Sequence, residues 1–335
     1  MGNNNPNRNM NISYYTYPWA MDVAGGGERQ MMAYRAHLRR HGIDVHLFDM
    51  WHPNFDDTSV LHSFSVMPGT VELCDYAKKR GLKLVISPNL WVTKETKKDY
   101  PFDTIWNLFE LADCIVVNSN MEIQALSDIY SISESKFKVV YNAAETDYLL
   151  PEDPDLFANT YGIHEPYILN IANIEPRKNQ LRFLEVLRQE RPDLTFVVIG
   201  GIRDKAYAQK CHEVSGKGFI CIPPLPYASP MLRSALSGCV FFAMPSLLET
   251  PSIAALEAAA LGARILLTDQ GTTTEYFGDS VVYVSPLSET SLVSGIHTAL
   301  EVSPERSTWV ARDSFLWPKV IPQLVQVYKS LLEGD

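Results

Sequence analysis

Residues 239–269, CVFFAMPSLLETPSIAALEAAALGARILLTD, read as a strand, a helix and a second strand. CVFFAMPS is bulky and apolar, as a strand covered on both faces is. The alanine-rich run that follows stops at Gly262, a usual helix terminator, and ARILLTD returns to strand. Strand–helix–strand units of this kind build parallel sheets covered by helices. Thr250 suits the N-cap and Pro251 the first helical position, which puts Glu249 just outside the helix and Glu257 two turns inside it. The N–H groups of Ser252 and Ile253 would then face outward, ready for phosphate oxygens. Ala254, Ala255, Ala258, Ala259 and Ala260 permit close packing, so an inward Glu257 needs a partner; a surface carboxylate is the alternative.

The same alternation extends in both directions. Upstream lie strand YILNIAN, helix KNQLRFLEVLRQE, strand LTFVVIGG, helix DKAYAQKCHEVSG, strand GFICIPPL and helix SPMLRSALSG. Downstream come helix TTTEYFGD, strand SVVYVSP and helix ETSLVSGIHTALE. Before residue 150 the strands NISYYTYP, IDVHLFDM, TSVLHSFSV, LKLVISP, CIVVNS and FKVVYNAAE are interleaved with helical stretches such as RQMMAYRAHLRRHG and GTVELCDYAKKRG. Pro and acid punctuation in LLPEDPDLF predicts a linker near residues 148–158. The fold class is therefore α/β, with two Rossmann-like, doubly wound domains facing a central cleft. The expected organisation is a flexible tail at 1–10, an N-terminal domain at 11–150, a C-terminal domain at 151–310, and terminal helices at 311–335. In WPKVIPQLVQVY and beyond, Val320, Leu324, Val327, Tyr328 and Leu331 recur at helical spacing.

The 335 residues carry a formal charge of −10, which disfavours nucleic acid as a partner. It leaves room only for weak peripheral membrane contact; the small basic groups at Lys78, Lys79 and Arg80 and at Lys94, Lys97 and Lys98 read better as solvated helix ends than as binding patches. Five cysteines without a CxxC pair, an N-terminus without an apolar signal core and the lack of a long apolar run point to the cytoplasm. Nothing in the sequence addresses the oligomeric state.

Several loops at strand ends carry unusual residues. Gly25, Gly26 and Gly27 lie between the first strand and first helix, where bare backbone can approach a phosphate; a turn needing positive φ is the alternative. Arg177 and Lys178, in NIEPRKNQ, precede a helix whose dipole they oppose, which favours an anion between them. No metal-binding motif of the DxD type is convincingly placed.

Taken together, ADCIVVNSNMEIQAL, FKVVYNAAE, NIEPRKNQ, ETPSIAALE (Glu249 and Glu257 in an E-x7-E pattern) and ALGARILLTDQGTTTEYFGD resemble, in that order, the blocks of GT-B glycosyltransferases, most of all retaining family 4. The likeness is strongest over residues 110–290. It implies a metal-independent, retaining transfer of a sugar from a UDP- or GDP-linked donor, without a separate cofactor, to a glycan, lipid-linked or small-molecule acceptor. It also implies a C-terminal helix that crosses back to the N-terminal domain. By resemblance, Glu249 approaches the donor sugar and Glu257 the ribose, Lys178 and Arg177 bind the diphosphate, and Ile222, Pro223 and Pro224 are candidates to lie against the base, an ordinary Pro-rich loop being the alternative. Thr250, Ser252, Ile253, Gly26 and Gly27 complete the donor set.

Two positions depart from the family. Asn173 stands where an Arg is common, so Arg177 would take over its charge. Asn89 stands where an acceptor-side His is common, leaving His62 and Trp91 as further acceptor-side candidates, with a core histidine and a packed aromatic as their alternatives. A GT-B sugar-nucleotide epimerase and a non-catalytic nucleotide-sugar binding protein are the competing functions.

Overall fold

The β-branched and aromatic runs do form strands, and every strand pairing is parallel. The computed structural model describes residues 10–22, 24–150, 152–308 and 310–333. Two compact units result, one of Met1–Asn142 with Trp317–Asp335 and the other of Ala143–Leu316. The divisions thus fall at 142/143 and 316/317 rather than at 150/151 and 310/311. Residues 1–9 of the expected tail lie outside the described residues, and Met10 is buried rather than part of a tail.

In the first unit six strands, β1 (Asn11–Tyr15), β2 (Asp44–Leu47), β3 (Val60–Ser63), β4 (Lys83–Ile86), β5 (Cys114–Val117) and β6 (Phe137–Val139), take the order β2-β1-β3-β4-β5-β6. Helices α1 (Gly26–Arg40), α2 (Thr70–Lys79), α3 (Phe102–Leu111) and α4 (Asn120–Tyr130) accompany them. Ser119 caps α4 by accepting from the Glu122 N–H, as a Ser three residues before Glu predicts. Leu84, Ile86, Ile105, Phe109, Ile115 and Leu126 share one apolar core.

The second unit opens with α5 (Asp155–Tyr161), inside the stretch expected to be a linker. Phe157 explains the difference: it is fully buried, its N–H donates to Ser234 Oγ at 2.8 Å, and its ring meets Tyr167. One well-placed apolar side chain outweighs the local turn signals. The sheet then runs β7 (Tyr167–Ile171), α6 (Gln180–Glu190), β8 (Thr195–Ile199), α7 (Lys205–Ser215), β9 (Phe219–Ile222) and α8 (Pro230–Gly238). It continues with β10 (Phe242–Met244), α9 (Ile253–Ala260), β11 (Ile265–Thr268), α10 (Thr273–Phe277), β12 (Val282–Val284) and α11 (Glu289–Glu301). Its order is β12-β11-β10-β7-β8-β9. The chain starts in the middle at β7, moves outward to β9, and returns to the other side of β7. The loops after β7 and β10 therefore diverge at a topological switch point, where doubly wound sheets bind ligands.

The last helix, α12 (Trp317–Glu333), belongs to the first unit and packs on α1. Trp317, Val320, Ile321, Leu324 and Tyr328 form its buried stripe. Tyr328 ends in a hydrogen-bond chain: its hydroxyl lies 3.1 Å from the Tyr14 hydroxyl and 2.6 Å from His62 Nδ1, while His62 Nε2 lies 2.8 Å from Ser87 Oγ. His62 is thus a satisfied core histidine on β3, fully buried, and not an acceptor-side group. Burial holds its pKa down to about 3, so the ring stays neutral.

Two outcomes follow from this chain. Tyr328→Phe leaves Tyr14 and His62 short of a partner and should cost about 1–3 kcal/mol in urea unfolding. Because the unfolded histidine takes up a proton near 6.5 and the folded one only near 3, stability should fall as pH drops below 6.5, by at most about 1.4 kcal/mol per unit from this residue. His62→Gln should flatten that slope.

Candidate active site

The two loops at the second unit's switch point are tied together. Leu247 N–H donates to the Arg177 carbonyl at 2.9 Å, and Arg177 Nη1 donates to the Leu248 carbonyl at 3.2 Å. Lys178 ends a short 3-10 turn at Pro176–Lys178, and its Nζ lies 2.6 Å from Glu249 Oε1. Both side chains are nearly closed to solvent, at 12% and 7% exposure. Burial alone would raise the Glu249 carboxyl; the Lys178 and Arg177 charges outweigh it and hold the pKa below its ordinary 4.5.

The backbone at Glu249 is held as tightly. It forms a parallel bridge with Gly271, in which Glu249 N–H donates to the Gln270 carbonyl and Thr272 N–H to the Glu249 carbonyl. Gly271 sits at φ +94, and a Cβ there would overlap the Glu249 carbonyl oxygen. Sequence reading did not single out Gly271; its signal is a lone glycine directly after a strand, in TDQGTTTE.

This bridge also moves the helix start. The chain stays extended to Ser252, whose hydroxyl accepts from the Ala255 N–H at 3.2 Å, so Ser252 is the N-cap of α9 rather than Thr250. Pro251 lies before the helix, not at its first position, and Ile253 is the first helical residue. Glu257 then sits little more than one turn inside. It is fully buried, and all the helix residues from Ile253 to Ala260 are buried. The surface alternative for Glu257 is excluded.

The remaining second-unit candidates are distributed around this pair. Asn173 directs its Oδ1 to the Gly201 N–H at 3.1 Å, so its side chain secures the loop after β8. Arg177 is half-exposed and pairs with Glu175 at 3.3 Å. Ile222 ends β9 with a buried side chain, and its carbonyl accepts from Gly200 N–H, while Pro223 and Pro224 are exposed.

Gly26, Gly27, Asn89 and Trp91 lie in the first unit, as does His62. None of the three loop glycines has positive φ, so the simple turn explanation for them is withdrawn. Gly25 caps α1 and gives its N–H to Glu28 at 2.7 Å. A Cβ on Gly27 would lie 3.1 Å from Asn89 Nδ2, whereas Gly26 faces open space. Asn89 sits at φ +46 and accepts from Asn118 Nδ2 at 3.1 Å; its own Nδ2 is buried with no partner among the described residues. Trp91 is half-buried, its carbonyl accepting from the Tyr100 hydroxyl. Among the described residues no group of three or more His, Cys, Asp or Glu is placed to hold a metal ion, and no helix is long and apolar enough to cross a membrane.

Residues 157–313 match the family Glycosyl transferases group 1. A curated relative, N-acetylgalactosamine-N,N'-diacetylbacillosaminyl-diphospho-undecaprenol 4-alpha-N-acetylgalactosaminyltransferase of Campylobacter jejuni, is 24% identical over 201 residues. That match covers 58% of this chain and 52% of the relative, about half of its length. Among solved structures, Anabaena Alr3699/HepE in complex with UDP and glucose superposes with a TM-score of 0.80 at 15% identity, over 96% of this chain and 100% of the other. Sucrose-phosphate synthase from Thermosynechococcus elongatus superposes with a TM-score of 0.77 at 14% identity, over 97% and 100%. Two six-stranded parallel sheets with flanking helices are the GT-B architecture.

Two changes test the cradle. Lys178→Met leaves Glu249 buried beside Arg177 alone and should destabilise the chain by roughly 3 kcal/mol at pH 7. In the wild type, Glu249 contributes stability above pH 4.5 that is lost as pH falls through its lowered folded value. In the variant the folded carboxyl loses the cation that holds it down, so the acid-side loss should shrink or reverse, which urea unfolding across pH 3–8 reads directly. Gly271→Ala should cost about 2 kcal/mol or more through the positive φ and the displaced Glu249 backbone, read as a lower Tm.

Proposed function

We propose, from the GT-B fold and the match of residues 157–313 to Glycosyl transferases group 1, that this chain is a glycosyltransferase that transfers a sugar from a nucleoside diphosphate to an acceptor hydroxyl. The observation that carries the reading is the buried Lys178–Glu249 pair at the switch point of that domain. A cation and a carboxylate on the two loops of such a sheet suit a ligand with a charged diphosphate and a neutral sugar side by side.

In this mechanism Lys178 and Arg177 stabilise the charge that develops on the departing diphosphate as the sugar carbon becomes cation-like. Glu249, kept ionised by its neighbours, accepts hydrogen bonds from sugar hydroxyls and orients the ring. Glu257 serves the ribose from inside α9. The bond between the anomeric carbon and the β-phosphate oxygen breaks while a bond to the acceptor oxygen forms on the same face. The acceptor proton passes to the departing β-phosphate, so configuration is retained and neither a metal nor a separate cofactor takes part.

UDP-linked sugars are the first donors to test, since the Anabaena neighbour is described with UDP and glucose. For the acceptor, the Campylobacter relative is named for a diphospho-undecaprenol-linked saccharide, which supports a glycan, including one carried on a lipid, as the class to screen. The reaction is proposed to run in the cytoplasm.

A thermal-shift screen over UDP, GDP and their sugars should show one nucleotide raising Tm by mass action. Supplied with that donor and an acceptor panel, the protein should release the nucleoside diphosphate and form a glycoside of unchanged anomeric configuration. Tight donor binding without transfer or slow donor hydrolysis would return the chain to a binding protein. Glu249→Gln should lower turnover by about 100-fold while donor affinity changes little. Glu257→Gln should instead weaken nucleotide binding by about tenfold.

A further inference from the structure

Between β2 and β3 the chain makes no helix. Parallel strands are usually joined by a helical crossover, but here residues 48–59 cross the intervening β1 as an irregular loop. The loop is pinned at both ends: Phe48 N–H donates to the Tyr14 carbonyl and Ser59 N–H to the Asn11 carbonyl, each at 2.8 Å. Thr58 Oγ1 donates to the Asn54 carbonyl at 2.6 Å and lies 3.1 Å from Ser13 Oγ, while the Phe55 ring packs on Phe48 and Tyr76. Strand register sets Ser13 beside His46, so both side chains share the face that the loop covers. Between loop and strands lies a cavity of about 180 Å³, lined only by residues of the first unit. One water needs roughly 10–15 Å³, so this space admits a ligand of several heavy atoms.

The polar walls are oriented by the protein itself. Asp49 Oδ1 accepts from the Trp51 N–H at 2.8 Å, and its Oδ2 lies 3.1 Å from His52 Nδ1. His46 Nε2 lies 2.9 Å from Asp44 Oδ2. A carboxylate only accepts, so those ring nitrogens carry the proton, and His52 Nε2 and His46 Nδ1 are acceptors in the neutral rings. The Asp57 carboxylate and the Asn11 and Asn54 amides also line the cavity, without a side-chain partner among the described residues. No Lys or Arg lines it, and Asp49 and Asp57 repel an anion. Among the described residues no cluster is placed to hold a metal ion. A cavity this rich in acceptors suits a neutral ligand with many hydroxyl donors. Trp51, between Asp49 and His52, is 81% exposed, and its indole offers a flat apolar face to the C–H side of a sugar ring. An indole and ion pairs this open add little to stability, so folding does not explain them.

We propose that this cavity, with Trp51 at its rim, is a second saccharide site that holds one neutral sugar unit and shares no residue with the Lys178–Glu249 cradle. The choice of a saccharide rests on the transfer reading above, which brings glycans to this chain. Sugar hydroxyls donate to Asp57 and to the two imidazoles, the Asn11 and Asn54 amides both donate and accept, and the ring stacks on Trp51.

The test is saturation-transfer NMR titration of the full chain with glucose, galactose, mannose, N-acetylglucosamine and their oligomers, with spermidine and calcium chloride as charged controls. At least one neutral saccharide should bind. Trp51→Ala should weaken it by about tenfold and Asp57→Ala by about fivefold, with Tm nearly unchanged because both side chains are exposed. UDP and GDP affinities should stay within twofold of wild type in both variants. Saccharide affinity within twofold of wild type in both variants overturns the assignment, as does binding of a charged control without any saccharide. A chain that transfers sugar yet binds no saccharide in this way loses only the second site. Saccharide binding that both variants weaken, in a chain that transfers from no donor, overturns the transfer reading and leaves the site standing.

Discussion

The contact between Lys178 and Glu249 is the constraint around which the second unit is arranged. A buried charge pair is stabilising only when its geometry is fixed and its neighbours complete it, because both ions lose their hydration. Three features fix it here. The loops after β7 and β10 hydrogen-bond to one another through Arg177. The Gly271 loop clamps the Glu249 backbone. The start of α9 is deferred to Ser252, which keeps Glu249 on extended chain. Each of these places a side chain at the switch point, where the diverging strands leave room for a ligand.

The first unit handles buried polarity differently. Its interior network of Tyr14, Tyr328, His62 and Ser87 is neutral, and burial depresses the histidine so that no charge has to be compensated. This network ties the last helix to the first strand and the third, so residues more than two hundred and fifty positions apart share one hydrogen-bond chain. The same histidine read in isolation is a plausible acceptor group. Its two ring nitrogens are instead spent on hydroxyls in the core, and position along the chain carries no trace of that.

What was legible in the sequence follows from local physics. Twelve apolar runs separated by helical periodicity determined two parallel, doubly wound sheets, because side-chain period and turn residues act within a few positions. The prominence of Glu249, Arg177 and Lys178, charges in loops that follow greasy strands, and of Glu257, a carboxylate in an alanine-rich helix, was equally visible. Misreadings arose where distant contacts overrode local preference. LLPEDPDLF has every mark of a linker, yet Phe157 draws its second half into α5. Thr250 and Pro251 are a good helix start by propensity, but the bridge to Gly271 postpones the helix.

By itself, then, the sequence determined the fold class, the strand-end position of the candidate site and the chemical types within it. Tertiary structure alone decided the partners: that Lys178 closes on Glu249, that Gly271 must lack a side chain, and that His62 is sealed in the core. The reason is physical. Periodicity and caps are set by neighbours in the chain, whereas an ion pair, a close backbone approach or a buried proton acceptor depends on segments far apart in sequence that meet only in the folded unit.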